Sequence, residues 1–175
     1  MRKFVMMLML VMLSIGVSAQ GMFVEGGIGA AVPVKDNYNT FFHGQVTVGM
    51  PISPKALLGV EYTNSAYSEK AYDYTVQTIG LKAFMPVIVI PPLDVDFIVG
   101  AAYGWDSLKD DYASYGHLNF FVPKVGLDAM FNILPDRALQ VGLGGEYAYH
   151  FLTDSHDYGE DFSNFNIVAK LRIMF

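Results

Sequence analysis

Eight segments of this chain alternate apolar and polar residues with a period of two, and every strand charge falls on the same side of the alternation. That period belongs to an extended strand, whose successive side chains point to opposite faces. The segments cover residues 22–32, 41–50, 56–64, 74–85, 94–105, 118–131, 138–151 and 162–175. In the last, Phe165, Ile167, Ala169, Leu171, Ile173 and Phe175 alternate with Asn164, Asn166, Val168, Lys170, Arg172 and Met174. In the fifth, Val95, Phe97, Val99, Ala101, Tyr103 and Trp105 oppose Asp94, Asp96, Gly100 and Gly104. A charge turned toward the middle of a bilayer costs about 2–4 kcal/mol, so a face cleared of charge is what lipid demands.

The apolar face belongs outside. It carries four to six large residues per strand, more than the interior of an eight-stranded barrel can hold. Ten strand glycines, Gly27, Gly29, Gly49, Gly59, Gly80, Gly100, Gly104, Gly126, Gly142 and Gly144, lie on the polar face, where a cramped lumen favours small residues. A soluble lipocalin-like barrel would invert both assignments. An open sheet edge in hydrocarbon leaves backbone N–H and C=O groups unpaired, so the last strand must meet the first. The expected fold is therefore all-β: a closed eight-stranded antiparallel up-and-down transmembrane β-barrel. Short, proline-bearing connections (51–54, 86–92, 132–137) alternate with longer polar ones (33–40, 65–73, 106–117, 152–161). That is the pattern of short periplasmic turns and longer outer loops.

Three local features strain this reading. Gln77 falls on the lipid face. Pro123 removes a ladder hydrogen bond and predicts a bulge or bend. Residues 87–90 are too apolar for an ordinary turn, so strand four can extend through them.

The N-terminus reads as a secretory signal over residues 1–19. Arg2 and Lys3 precede an apolar run, and Val17-Ser18-Ala19 supplies the small residues before a cut ahead of Gln20. The barrel domain is then residues 20–175. Without Arg2 and Lys3 the formal charge moves from −6 to −8, seventeen acids against nine Lys and Arg. An acidic chain with no basic cluster argues against a nucleic-acid partner. The absence of cysteine excludes disulfides, thiol catalysis, cysteine metal sites and lipidation of an N-terminal cysteine.

The strand pattern and the ending Phe165-x-Ile167-x-Ala169-x-Leu171-x-Ile173-x-Phe175 resemble the outer-membrane β-barrel domain family. This is the group of small barrels that includes OmpX-like proteins and the membrane domain of OmpA-like proteins. The resemblance implies residence in the Gram-negative outer membrane, among its lipid and lipopolysaccharide. It also implies a C-terminal strand read as an assembly signal by the barrel-assembly machinery. Family members range from structural proteins and adhesins to narrow, porin-like channels and lipid-modifying enzymes.

The candidate functional residues are the charges on the polar face. Glu25, Glu61, Asp128 and Glu146 can meet Lys82, Lys124, Lys170 and Arg172 across the lumen. Two readings follow: an electrostatic plug, favoured because eight-stranded interiors are filled, or a narrow ion path. Within the plug, Glu146 is expected beside Lys170 or Arg172. A lipid A-modifying enzyme would need a histidine near a serine and a carboxylate at the outer rim. Of His43, His117, His150 and His156, only His156 stands between such residues, Ser155 and Asp157, and neighbours on an extended chain point apart. Asp154, Asp157, Gly159, Glu160 and Asp161 lack the spacing of a calcium loop. Tyr62, Tyr74, Tyr103, Trp105, Tyr147 and Tyr149 read as membrane-interface anchors. No catalytic residue, cofactor or metal is expected. The function expected is an integral outer-membrane barrel with a structural or surface-interaction role. A rim-active lipid A-modifying enzyme and a narrow channel are the alternatives.

Overall fold

The computed structural model describes residues 21–34, 39–53, 55–69, 72–110, 118–152 and 163–175. Residues 1–19, where the signal is expected, lie outside this set, as do His117 and the segment holding Ser155, His156 and Asp157. The strands are β1 (Phe23–Pro33), β2 (Phe41–Ser53), β3 (Ala56–Glu69), β4 (Tyr72–Ile90), β5 (Leu93–Asp110), β6 (Asn119–Asn132), β7 (Leu139–Ala148), β8 (Phe151–Leu152) and β9 (Asn164–Met174). Each pairs antiparallel with its neighbour in one sheet. β5 also pairs with β6, so the sheet closes on itself. The seam between the first and last strands runs from Phe23↔Met174 to Pro33↔Asn164.

β8 is the outer end of the same stave as β7. Both pair with β6 in one register, Lys124↔Ala148 and Phe121↔Phe151, so the barrel has eight staves. The gap between them, at Tyr149 and His150, lies opposite Pro123. The bulge expected at Pro123 does not form: β6 runs through it with its register to β5 unbroken. Pro123 still accepts from Tyr149 N at 3.1 Å, but having no N–H it cannot complete the pair. The interruption therefore falls on the partner strand.

β2 to β5 run longer than the alternation in sequence. β4 continues to Ile90, and its register to β5 shifts between Pro86 and Ile88. Beyond the bilayer nothing forces an alternating pattern, so hydrogen bonding carries these hairpins past the point where the pattern stops.

Side-chain burial is inverted relative to a soluble protein. Ile28, Phe42, Val46, Leu81, Leu127, Leu143, Ile167 and Leu171 are exposed on the outer surface, while Glu25, Glu61, Lys82, Asp128, Lys170 and Arg172 are buried. Among the described strand side chains, no charge is exposed on the outer surface. Gln77 sits between Asn64 on β3 and Trp105 on β5, in a polar and aromatic row near the loop end. Tyr62, Tyr103 and Tyr149 face outward there. Tyr74 does not: it is turned to the inner rim, its hydroxyl donating to Asp106 Oδ2 at 3.3 Å and its ring 5.8 Å from Phe41. The lumen face of β4 takes even-numbered residues, which puts Tyr74 on the side of Thr78 and Lys82.

Candidate functional site

The lumen glycines provide the space in which the charges meet. A Cβ at Gly144 would lie 2.2 Å from Asp128 Oδ1 and 2.5 Å from Lys170 Cε. At Gly49 it would lie 2.6 Å from the ring of Phe23. A larger residue at either place would displace a lumen group, which is why glycine collects on the polar face.

Into that space project the eight predicted charges, all buried and linked in one chain. Lys124 Nζ donates to Glu61 Oε1 at 2.6 Å, and Lys82 Nζ lies 2.5 Å from Glu61 Oε2. Lys82 also reaches Glu146 Oε1 at 2.6 Å. Lys170 Nζ stands 3.3 Å from the same oxygen of Glu146, 2.6 Å from Asp128 and 3.5 Å from Glu25. Arg172 binds Glu25 at 2.7 Å, lies 3.7 Å from Asp128, and reaches Asp96 at 2.7 Å. Gln45 Nε2 adds a 3.4 Å hydrogen bond to Glu25. The network thus draws a charge from β1, β3, β4, β5, β6, β7 and β9, with β2 joining through Gln45.

Two parts of this arrangement differ from the sequence reading. Asp96 belongs to the network. It stood on the polar face of its strand, the signal that could have included it. Glu146 does meet Lys170, but its shorter bond is to Lys82 across the lumen, and none joins it to Arg172. On the adjacent strand Glu146 pairs with Asn166. Strand shear sets which charges meet across the interior, and alternation alone does not encode shear.

At the turn end the network is capped by Phe23, Phe84 and Ile98, backed by Leu57 and Met174. Phe23 and Phe84 pack edge to face at 5.5 Å, and the Arg172 guanidinium lies 4.7 Å from the Phe84 ring and 5.8 Å from that of Phe23. Cation–π attraction strengthens where water is excluded. Asp94, nearer that rim, accepts from Arg137, Asn132 and Gln140 at 3.1 Å each. Side-chain exposures of 0–5% show that the nine charges of the network are shielded from solvent.

Above the network the described lumen side chains are uncharged up to Asp106 at the outer rim. His43 Nδ1 and Ser65 Oγ share a 2.8 Å hydrogen bond, Thr63 and Thr78 hydroxyls one of 2.7 Å, and His150 packs edge to face on Phe120 at 5.6 Å. His43 and Ser65 form a buried histidine–serine pair. The other ring nitrogen of His43 meets no hydrogen-bond partner, so no carboxylate orients it as a catalytic base requires. Both side chains are also packed inside the wall, 2% and 7% exposed. No group of three or more metal-binding side chains converges among the described residues.

The inverted burial, the closed eight-stave sheet and the filled lumen decide the architecture. This is the fold of the small outer-membrane β-barrels. The structure is similar to that of Neisserial surface protein A (NspA), with a TM-score of 0.72 and 15% identity over 89% of this chain and 98% of that one. It is also similar to a major outer membrane protein from Thermus thermophilus, with a TM-score of 0.65 and 14% identity over 89% and 98%. Ail, the attachment invasion locus protein of Yersinia pestis, aligns with a TM-score of 0.55 and 12% identity over 90% and 100%. No family model and no curated protein matches the sequence.

Proposed function

We propose that this is an integral outer-membrane protein whose lumen is an electrostatic plug and whose work is structural or done by its outer loops. The observation that carries this reading is the nine-charge network, five carboxylates (Glu25, Glu61, Asp96, Asp128, Glu146) and four cations (Lys82, Lys124, Lys170, Arg172), buried in one connected set. Buried charges held in close pairs are costly to separate, so they hold the staves in one arrangement; a conducting path needs them hydrated and loosely held. A role at the cell surface is supported by similarity to a surface protein and to an attachment protein. On this reading residues 1–19 are a cleaved export signal, and the strand bearing Phe165, Ile167, Ala169, Leu171, Ile173 and Phe175 is recognised by the barrel-assembly machinery. The test is conductance of the refolded protein in planar bilayers. A plug gives no steady current. A stable open level that shifts in ion selectivity on Glu146→Gln would establish a pore instead.

A further inference from the structure

At the short-turn end β4 outruns its neighbour. The β3–β4 ladder ends at Leu57↔Phe84, whereas β4 continues to Ile90 and stays paired with β5 through Ile90↔Leu93. β3 itself begins at Ala56, where it pairs with Ser53 of β2. Beyond it, Val87, Ile88, Val89 and Ile90 have β5 on one side, and no described residue pairs with them on the other. The other flank of the hairpin is covered, since Asn132 N donates to Pro92 O at 2.8 Å.

The backbone on the open side has unused hydrogen-bonding capacity. In an antiparallel ladder, alternate residue pairs exchange hydrogen bonds. Ile90 and Leu93 close the two-residue turn as a bonded pair, so Val89 turns its N–H and C=O away from β5. Around that edge the side chains are apolar and exposed: Val87 58%, Ile88 45%, Val89 52% and Ile90 66%, with Ile52 and Ile133 in the neighbouring turns at 59% and 55%. The four edge residues carry no charge, and three devices that protect natural edges (a lysine on the edge, an inward charge, a covering loop) are missing among the described residues.

Neither solvent satisfies this edge. Water would hydrate the Val89 amide and carbonyl but leave four large aliphatic side chains exposed. Lipid would cover the side chains and orphan the backbone groups. A second β-strand satisfies both. The vacant lane lies in line with β3, which occupies it from Ala56 onward. The β4 strand of a second barrel lying alongside would collide with β3, so the lane admits only a segment arriving from the short-turn side. We propose that the β4 edge at Val87 to Ile90 is a β-augmentation site that takes an extended, uncharged peptide segment rich in β-branched residues, presented from the periplasmic face.

The test uses the refolded full chain in phosphatidylcholine bicelles. The probe is a blocked seven-residue peptide of alternating threonine and valine. Amide exchange at Val89 is read by NMR. The amide should exchange freely alone and slow at least tenfold with peptide, while barrel amides such as that of Leu143 are unchanged. Val89→Pro, which removes the outward donor, should abolish peptide binding and keep the heat-dependent gel shift of the barrel. Val89→Thr should bind as the parent does. Protection of the Val89 amide without peptide would mean that lipid or the chain itself covers the edge, and would overturn the proposal. So would unchanged exchange with peptide, or full binding by Val89→Pro. Should Val89→Pro fail to fold, the exchange result on the parent protein decides.

Discussion

Lys82 and Glu146 lie 64 residues apart in the chain and meet at 2.6 Å inside the barrel, Nζ donating to Oε1. The contact spans the lumen from β4 to β7, so it ties together staves that share no backbone hydrogen bonds. Both side chains are at most 2% exposed. Removing one of them takes a short ion pair from the other where water cannot compensate, leaving Lys82 only Glu61 or Glu146 only Lys170.

Glu146→Ala should therefore lower folded stability by about 3–5 kcal/mol, the range for breaking a buried pair. The second change that recovers part of this loss is Lys82→Met, although Lys82 must also release Glu61, so the recovery is incomplete. Urea titration of the refolded single and double variants measures both. A loss well under about 1 kcal/mol, as for solvent-exposed pairs, would mean that the lumen is wet.

Five carboxylates face four cations in the network, so its members are not equivalent. Asp128→Asn keeps the shape and leaves four of each. Lys170→Met leaves three cations against five acids and takes a partner from Asp128, Glu146 and Glu25 together. Asp128→Asn should cost less than Lys170→Met, which should reach at least the roughly 3–5 kcal/mol of a broken buried pair. The same titration ranks the two, and the reverse order would refute the count.

Gly144→Ala should destabilise the barrel by roughly 1–3 kcal/mol, the range for overpacking a filled interior, because its Cβ would occupy the place of Asp128 Oδ1. Gly26→Ala is the control: it is a strand glycine whose added Cβ meets nothing within 4 Å. Equal effects at the two positions would remove the steric explanation for the glycine pattern.

Closure should also show on a gel. Protein extracted from membranes should migrate differently in SDS before and after boiling, because the closed wall leaves detergent no free edge within the membrane span. Identical mobility would contradict the seam between Phe23–Pro33 and Asn164–Met174.

The strands and their facing were legible because lipid acts on each residue separately: Ile167 and Leu171 must face it and Lys170 must not. What joins distant strands was not. The sequence places Glu146 and Lys82 on the lumen face, but their meeting depends on shear, a property of the whole barrel. Asp96 was legible as inward-facing and not as a partner of Arg172. The break at Tyr149 and His150 arises from a proline on another strand, 26 residues from Tyr149 in the chain, so nothing near those two residues signals it. The extension of β4 could be read from its aliphatic run, but not the bare edge, which depends on where β3 begins.

The seam has a consequence in time. Glu25 and Arg172, 147 positions apart, are joined across it at 2.8 Å, and the backbone ladder between β1 and β9 joins equally remote stretches of chain. No folding unit built from the N-terminal strands alone can be finished, because β1 lacks its second neighbour until β9 arrives. Contacts this distant in sequence are slow to form. Until then the lipid-facing side chains and the edge of β1 are open together, and a chain stopped short of Asn164 would stay in that state. Completion is all-or-none, and the last strand decides it.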